Sequence, residues 1–255
     1  MRLFAAEWMK TKRTPIRWLA WLPPLIFAAL FTWYVSRQTI TIDRQISIFQ
    51  AFFEVWTAVV IPFGIGVVSG IMIHQEELAG SFGGLLGSKR PRRDLYMGKF
   101  AVLLLVTLAS TMLATILFVA GLAGIAAIHI SWPIFIAAAL LAMAGTLPLL
   151  AFHLWISFAK GMGASIGIGG VGVLIAALMA TNLGNTIWQF VPWAWPVRLT
   201  GLAGAYLPGI KIPSQMIASG FVINQGMKGL VLAAICFVLL LVGGLAWFNT
   251  WEGRK

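Results

Sequence analysis

An all-α, polytopic membrane fold is predicted by the composition of the chain and by the spacing of its apolar runs. Hydrophobic residues make up 60% of the 255 residues and charged residues 10%, with a mean hydropathy of +0.92. That balance is too apolar for an ordinary soluble domain. Runs near 18–35, 51–73, 100–127, 134–158, 164–180 and 229–249 each approach the roughly 20 helical residues needed to cross about 30 Å of hydrocarbon, so six spans are expected. Placement of charge gives the orientation. With the N-terminus inside, 13 of the 18 basic residues fall in the inner segments 1–17, 74–99, 159–163 and 250–255, as the excess of Lys and Arg on cytoplasmic loops requires. The net charge of +11 therefore reads as topology, with both termini cytoplasmic. No basic face interleaved with aromatics accompanies it, which argues against nucleic acid as a partner.

Residues 1–17 form an amphipathic segment. Leu3, Phe4, Trp8 and Met9 share a helical side and Lys10, Lys12 and Arg13 follow, as expected of a helix lying in the cytoplasmic interface of the lipid bilayer. The first span, 18–35, ends in bulky aromatics without a small-residue cleavage site, so it reads as a retained helix rather than a signal peptide. It is expected to kink at Pro23 and Pro24. Between spans five and six, residues 181–228 are too long for a turn and rich in Trp and Pro. An outer re-entrant or interfacial element is expected there, with Trp188, Trp193 and Trp195 at the membrane surface. No tandem repeat is evident, so 1–255 reads as one membrane domain.

Most chemical motifs fail on inspection. The phosphate-binding loop G-x-x-x-x-G-K-[ST] fails on spacing, since Gly83 plus five is Ser88 and Gly84 plus five is Lys89, so ATP binding by that route is not expected. The stretch "GIGGVG", 167–172, matches a dinucleotide fingerprint by letter but lies inside an apolar span, where small residues let helices approach. Gly163 and Gly167, and Gly66 and Gly70, share the four-residue spacing of such contacts. Cys236 is the single cysteine, so no intrachain disulfide or thiolate cluster can form. His74, His129 and His153 do not recur with carboxylates at metal-binding spacing. Glu76 and Glu77 resemble the start of a membrane metalloprotease signature, but Ser81 stands where Arg is required. Glu54 and His153, polar residues within spans, are candidates for function or for hydrogen bonds between helices.

The charged stretch 76–88 and the basic turn after it carry the strongest signal. Glu76 and Glu77 suit a helix N-terminus, and Leu78, Phe82, Leu85 and Leu86 give one apolar side, so a short amphipathic helix exposing Phe and Leu to a soluble partner is expected. The set Glu76, Gly80, Ser81, Leu85, Leu86, Arg92, Gly98 and Lys99 resembles the type-2 ABC exporter permeases. The amphipathic N-terminus, six spans and Pro-rich outer segment extend the likeness over nearly the whole chain. The short length and the "GSFGGLLGSKRPR" variant look most like the lantibiotic-immunity subgroup. One departure is Pro91, displaced from its usual place soon after the Leu pair, where Lys89 stands.

The resemblance implies that 76–88 is a coupling helix, with Glu76, Glu77, Gly80, Phe82, Leu85, Leu86 and Arg92 receiving a separate ABC ATPase. Two copies of that ATPase would hold ATP and Mg, with no cofactor on this chain. It also implies a second permease subunit, identical or related, and a bacterial plasma membrane. The cargo would be an amphipathic peptide antibiotic, with Glu54, Trp188, Trp193, Trp195 and Arg198 as candidate contacts together with Lys211. Export of drugs, lipids or polysaccharide, or a membrane scaffold without transport, would serve the same pattern.

Overall fold

The computed structural model describes residues 7–38, 41–125, 130–208 and 220–254. Leu3, Phe4, His129 and Lys211 lie outside the described residues. Six helices are long and apolar enough to cross a membrane, and no strand occurs among the described residues. The spans comprise α1 (Pro15–Ser36), α2 (Ile42–Val55) continued by α3 (Ile61–Leu78), then α5 (Arg92–Ile125), α6 (Trp132–Lys160), α7 (Met162–Ala180) and α9 (Phe221–Thr250). Two shorter helices, α4 (Gly83–Leu86) and α8 (Ala194–Gly204), lie in the connections. Spans two and four are the most buried and form the centre, whereas spans one, five and six leave most of their surface outward. Both described chain ends meet at one end of the bundle, called here the terminal end.

Local chemistry explains the element boundaries. Residues 7–10 are helical and a 3₁₀ turn spans Thr11–Arg13. Thr14 is then extended (φ −122°, ψ 157°) before Pro15 begins α1, because the proline ring disfavours helical backbone in the residue before it. The expected interfacial helix is thus broken before the membrane. Pro23 and Pro24 lie inside an unbroken α1. Pro24 has no N–H to offer the Ala20 carbonyl, and Ser110 of α5 donates to that carbonyl instead, at 2.7 Å, which satisfies it in a setting without water. In span two the N–H of Ile61 reaches back five residues to Trp56, making a π turn over Trp56–Val60. Pro62 follows directly, so the altered register falls where a proline disrupts the regular ladder anyway.

Small residues draw the central helices together. A Cβ on Gly66 would sit 2.6 Å from the Ser165 carbonyl oxygen, and one on Gly169 2.9 Å from that of Pro62. The "GIGGVG" stretch is therefore a packing surface, as expected, but through Gly169 and Gly172. Gly163 and Gly167 face open space. Polar side chains add cross-links: Ser69 to Ser157 at 2.8 Å, His153 Nδ1 to Ser165 at 3.0 Å, and Trp56 Nε1 to Thr111 at 3.2 Å. His153 is fully buried and holds two helices together.

Candidate functional site

At the terminal end, four charges from distant parts of the chain meet. Lys99 Nζ, near the start of α5, donates to Glu7 Oε2 at 2.9 Å and to Glu76 Oε1 at 2.7 Å. Lys10 Nζ lies 2.8 Å from both Glu7 Oε1 and Glu76 Oε1. Lys99 is only 1% exposed and Glu7 5%, so these charges depend on one another for compensation. Burial works against the Lys10 ammonium, but its hydrogen bonds to Glu7 and Glu76 outweigh that and hold its pKa above the ordinary lysine value. The cluster ties the N-terminal segment, the last turn of α3 and the first turns of α5 into one unit.

A second set of contacts fastens the connection after α3 to the end of α9. Arg254 Nη2 lies 2.5 Å from Glu77 Oε2, which also meets His74 Nδ1 at 3.1 Å. The Phe82 ring packs 4.9 Å from Trp251, and the Arg254 guanidinium lies 5.5 Å from the Phe82 ring. Arg92 donates to the carbonyls of Phe248 and Trp251, a cation placed where the last carbonyls of a helix lack partners.

The helix expected over 76–88 is corrected by this geometry. Glu76 and Glu77 end α3 rather than begin a new helix, and only Gly83–Leu86 form a helical turn. The break comes at Gly80, Ser81 and Phe82, which have φ of 119°, 48° and 67°. The first of these suits glycine, and the next two are disfavoured for residues with a Cβ. Burial of the Phe82 ring holds that conformation. Phe82 is 2% and Leu85 3% exposed, so the expected exposed knob of Phe and Leu is replaced by an inward anchor. Leu86 is half-buried, and the exposed rim is made of Leu78, Gly80, Gly83 and Gly84 with Lys89, Arg90 and Arg93.

At the opposite end a cavity of about 570 Å³ opens between α2, α8 and the start of α9. Glu54, Trp188 and Arg198 line it, whereas Trp193 and Trp195 do not. The tryptophans expected at the membrane surface are mostly inside the fold. Trp188 is buried against Gly229, and Trp195 is buried with its Nε1 donating to the Gln189 carbonyl at 2.9 Å. Trp193 is half-buried over Gly172. Phe190 and Tyr206 are exposed instead. Arg198 donates to the carbonyls of Met179 and Thr181 at 2.7 and 2.5 Å and to Asn185 Oδ1 at 2.9 Å, so it caps the end of α7.

Glu7 and Arg254 are the functional candidates that sequence reasoning missed. Glu7 is one of only seven acids and sits beside Lys10, a signal of pairing, but nothing local points to Lys99, 92 positions away.

A six-span bundle with a clasped, charged terminal end and an open polar cavity at the other describes a multi-pass membrane protein. Residues 3–184 match the family model described as ABC-2 family transporter protein. That is more than half of the chain, and the chain belongs to this family as a membrane permease subunit of an ABC exporter. No curated protein matches it.

Proposed function

We propose that the chain is one of two permease subunits, identical or related, driven by a separate ABC ATPase present in two copies that bind ATP and Mg. It works in a bacterial plasma membrane with both termini in the cytoplasm. The ATPase docks on the exposed rim from Leu78 to Arg93. Glu76, Glu77, Phe82, Leu85 and Arg92 pass its movement into the bundle, while Gly80 and Leu86 shape the turn.

The observation that carries this reading is the anchoring of the rim. Ion pairs at Glu76 and Glu77 and the buried Phe82 join it to the N-terminal segment and to α3, α5 and α9. A push on a surface fixed in this way moves several spans together. The cargo is an amphipathic cationic peptide of the lantibiotic type, taken from the outer leaflet for self-protection.

Two measurements test the proposal. Adding a Cβ to Gly84 meets nothing within 4 Å, so Gly84→Trp places bulk on the rim, and an unchanged melting temperature checks that the fold is kept. In lipid nanodiscs this variant loses the co-purifying ATPase while wild type keeps it; equal retention removes the rim as the docking surface. Deletion of the gene lowers survival under lantibiotic challenge. Unchanged sensitivity, with altered sensitivity to drugs or lipid stress, reassigns the cargo. Retained function with no ATPase bound leaves a membrane scaffold.

A further inference from the structure

We infer that the cavity at the opposite end binds a hydrophobic organic cation, with Glu54 as its counter-charge and aromatic rings as its walls. The inference rests on the exporter reading, in which the occupant is one cationic, apolar part of the cargo.

Glu54 makes no ion pair or hydrogen bond among the described residues, although it belongs to a helix that crosses the membrane. The Glu54 side chain is exposed to the cavity, so the carboxylate is open to a ligand. Arg198 lines the same cavity and its charge is felt at Glu54, but its guanidinium turns to the carbonyls of Met179 and Thr181 at the end of α7 and to Asn185, where the helix C-terminus offsets part of that charge. It fastens the wall and lies beyond ion-pair distance of Glu54.

The remaining wall suits a cation. Phe49, Phe53, Trp188 and Phe221 line the cavity, and the faces of such rings attract positive charge. A volume of about 570 Å³ falls within the usual range for sites that hold small organic ligands. The π turn at Trp56–Val60 begins two residues after Glu54, and such turns recur where a helix is bent to serve a ligand.

The test uses the full chain in nanodiscs with two probes of like shape and opposite charge, tetraphenylphosphonium and tetraphenylborate. Wild type binds tetraphenylphosphonium saturably, and Glu54→Gln weakens this at least tenfold. Gly201 lines the cavity, and a Cβ there meets nothing within 4 Å, so Gly201→Leu fills the space and also weakens binding. Tetraphenylborate shows no saturable binding to any of the three proteins.

Absence of saturable tetraphenylphosphonium binding to wild type overturns the inference, as does equal affinity in Glu54→Gln. Loss of subunit pairing in Glu54→Gln with affinity for the cation unchanged assigns the carboxylate to a second copy of the chain and also overturns it. ATPase retention is measured in the same nanodiscs. A chain that holds the ATPase but not the cation refutes the site alone, and one that holds the cation but not the ATPase refutes the exporter reading alone.

Discussion

Charged residues occur at both ends of this bundle, but they are used in opposite ways. At the terminal end Glu7, Glu76 and Glu77 are matched by Lys10, Lys99 and Arg254 within 2.5–2.9 Å. At the other end Glu54 faces a cavity without a direct partner, and the nearby Arg198 is committed to backbone carbonyls and Asn185. Where the pairing is buried, at Lys99, Glu7 and Glu76, it holds elements in register, because removing one charge leaves another exposed to a low dielectric. An unpaired carboxylate contributes little to the fold and is available to a ligand. The first end is built to move as a unit and the second to receive.

Substitutions can break or sharpen this contrast. Lys99→Met removes the buried ammonium and leaves Glu7 and Glu76 sharing only the half-exposed Lys10, so it is expected to cost less than the usual penalty for a broken buried pair, about 3 kcal/mol at most; equilibrium unfolding in detergent measures it. Gly66→Val drives a side chain into the Ser165 backbone and should cost about 1–3 kcal/mol, whereas Gly163→Ala, which meets open space, leaves the melting temperature unchanged or slightly higher. Ser69→Ala removes one hydrogen bond between spans, worth about 0.6 kcal/mol in membrane proteins, and a double substitution with Ser157→Ala isolates that coupling. Glu54→Gln should alter stability by no more than about 0.5 kcal/mol, as for a side chain without structural partners. A loss at Glu54 as large as that at Lys99 would dissolve the distinction between the two ends.

Much of the architecture was legible because apolar length is a strong signal. Five of the six expected spans fall within the observed ones and the third, expected over 100–127, runs past Ile125 into residues outside those described; the largest offsets come where polar residues extend a helix beyond the hydrocarbon, at the starts of α5 (Arg92) and α9 (Phe221). The "GIGGVG" stretch was correctly read as packing, although which glycines face a neighbour depends on helix rotation that spacing alone does not give. The terminal end was only partly legible. Residues 76–93 do lie at the clasped end, but left-handed backbone at Ser81 and Phe82 is not encoded in their residue types, and it stopped the expected helix. Three of the ion pairs, Lys10–Glu76, Lys99–Glu7 and Arg254–Glu77, join positions separated by 66 to 177 residues, which no local pattern reveals. Trp188 and Trp195 were misplaced for a related reason. A Trp-Pro-rich segment at a membrane surface and one folded under itself look alike until a facing glycine such as Gly229 is known.

The most direct test of the account asks whether the clasp at the terminal end transmits work to the other end. Asn182 is exposed at the opposite end, so in a Cys236→Ser background a fluorophore on Asn182→Cys reports changes there. With the partner ATPase bound in nanodiscs, ATP addition should shift the fluorescence. Lys99→Met should retain the ATPase, whose rim is intact, and lose most of that shift. A full ATP-dependent shift in Lys99→Met, with the ATPase still bound, would contradict the account.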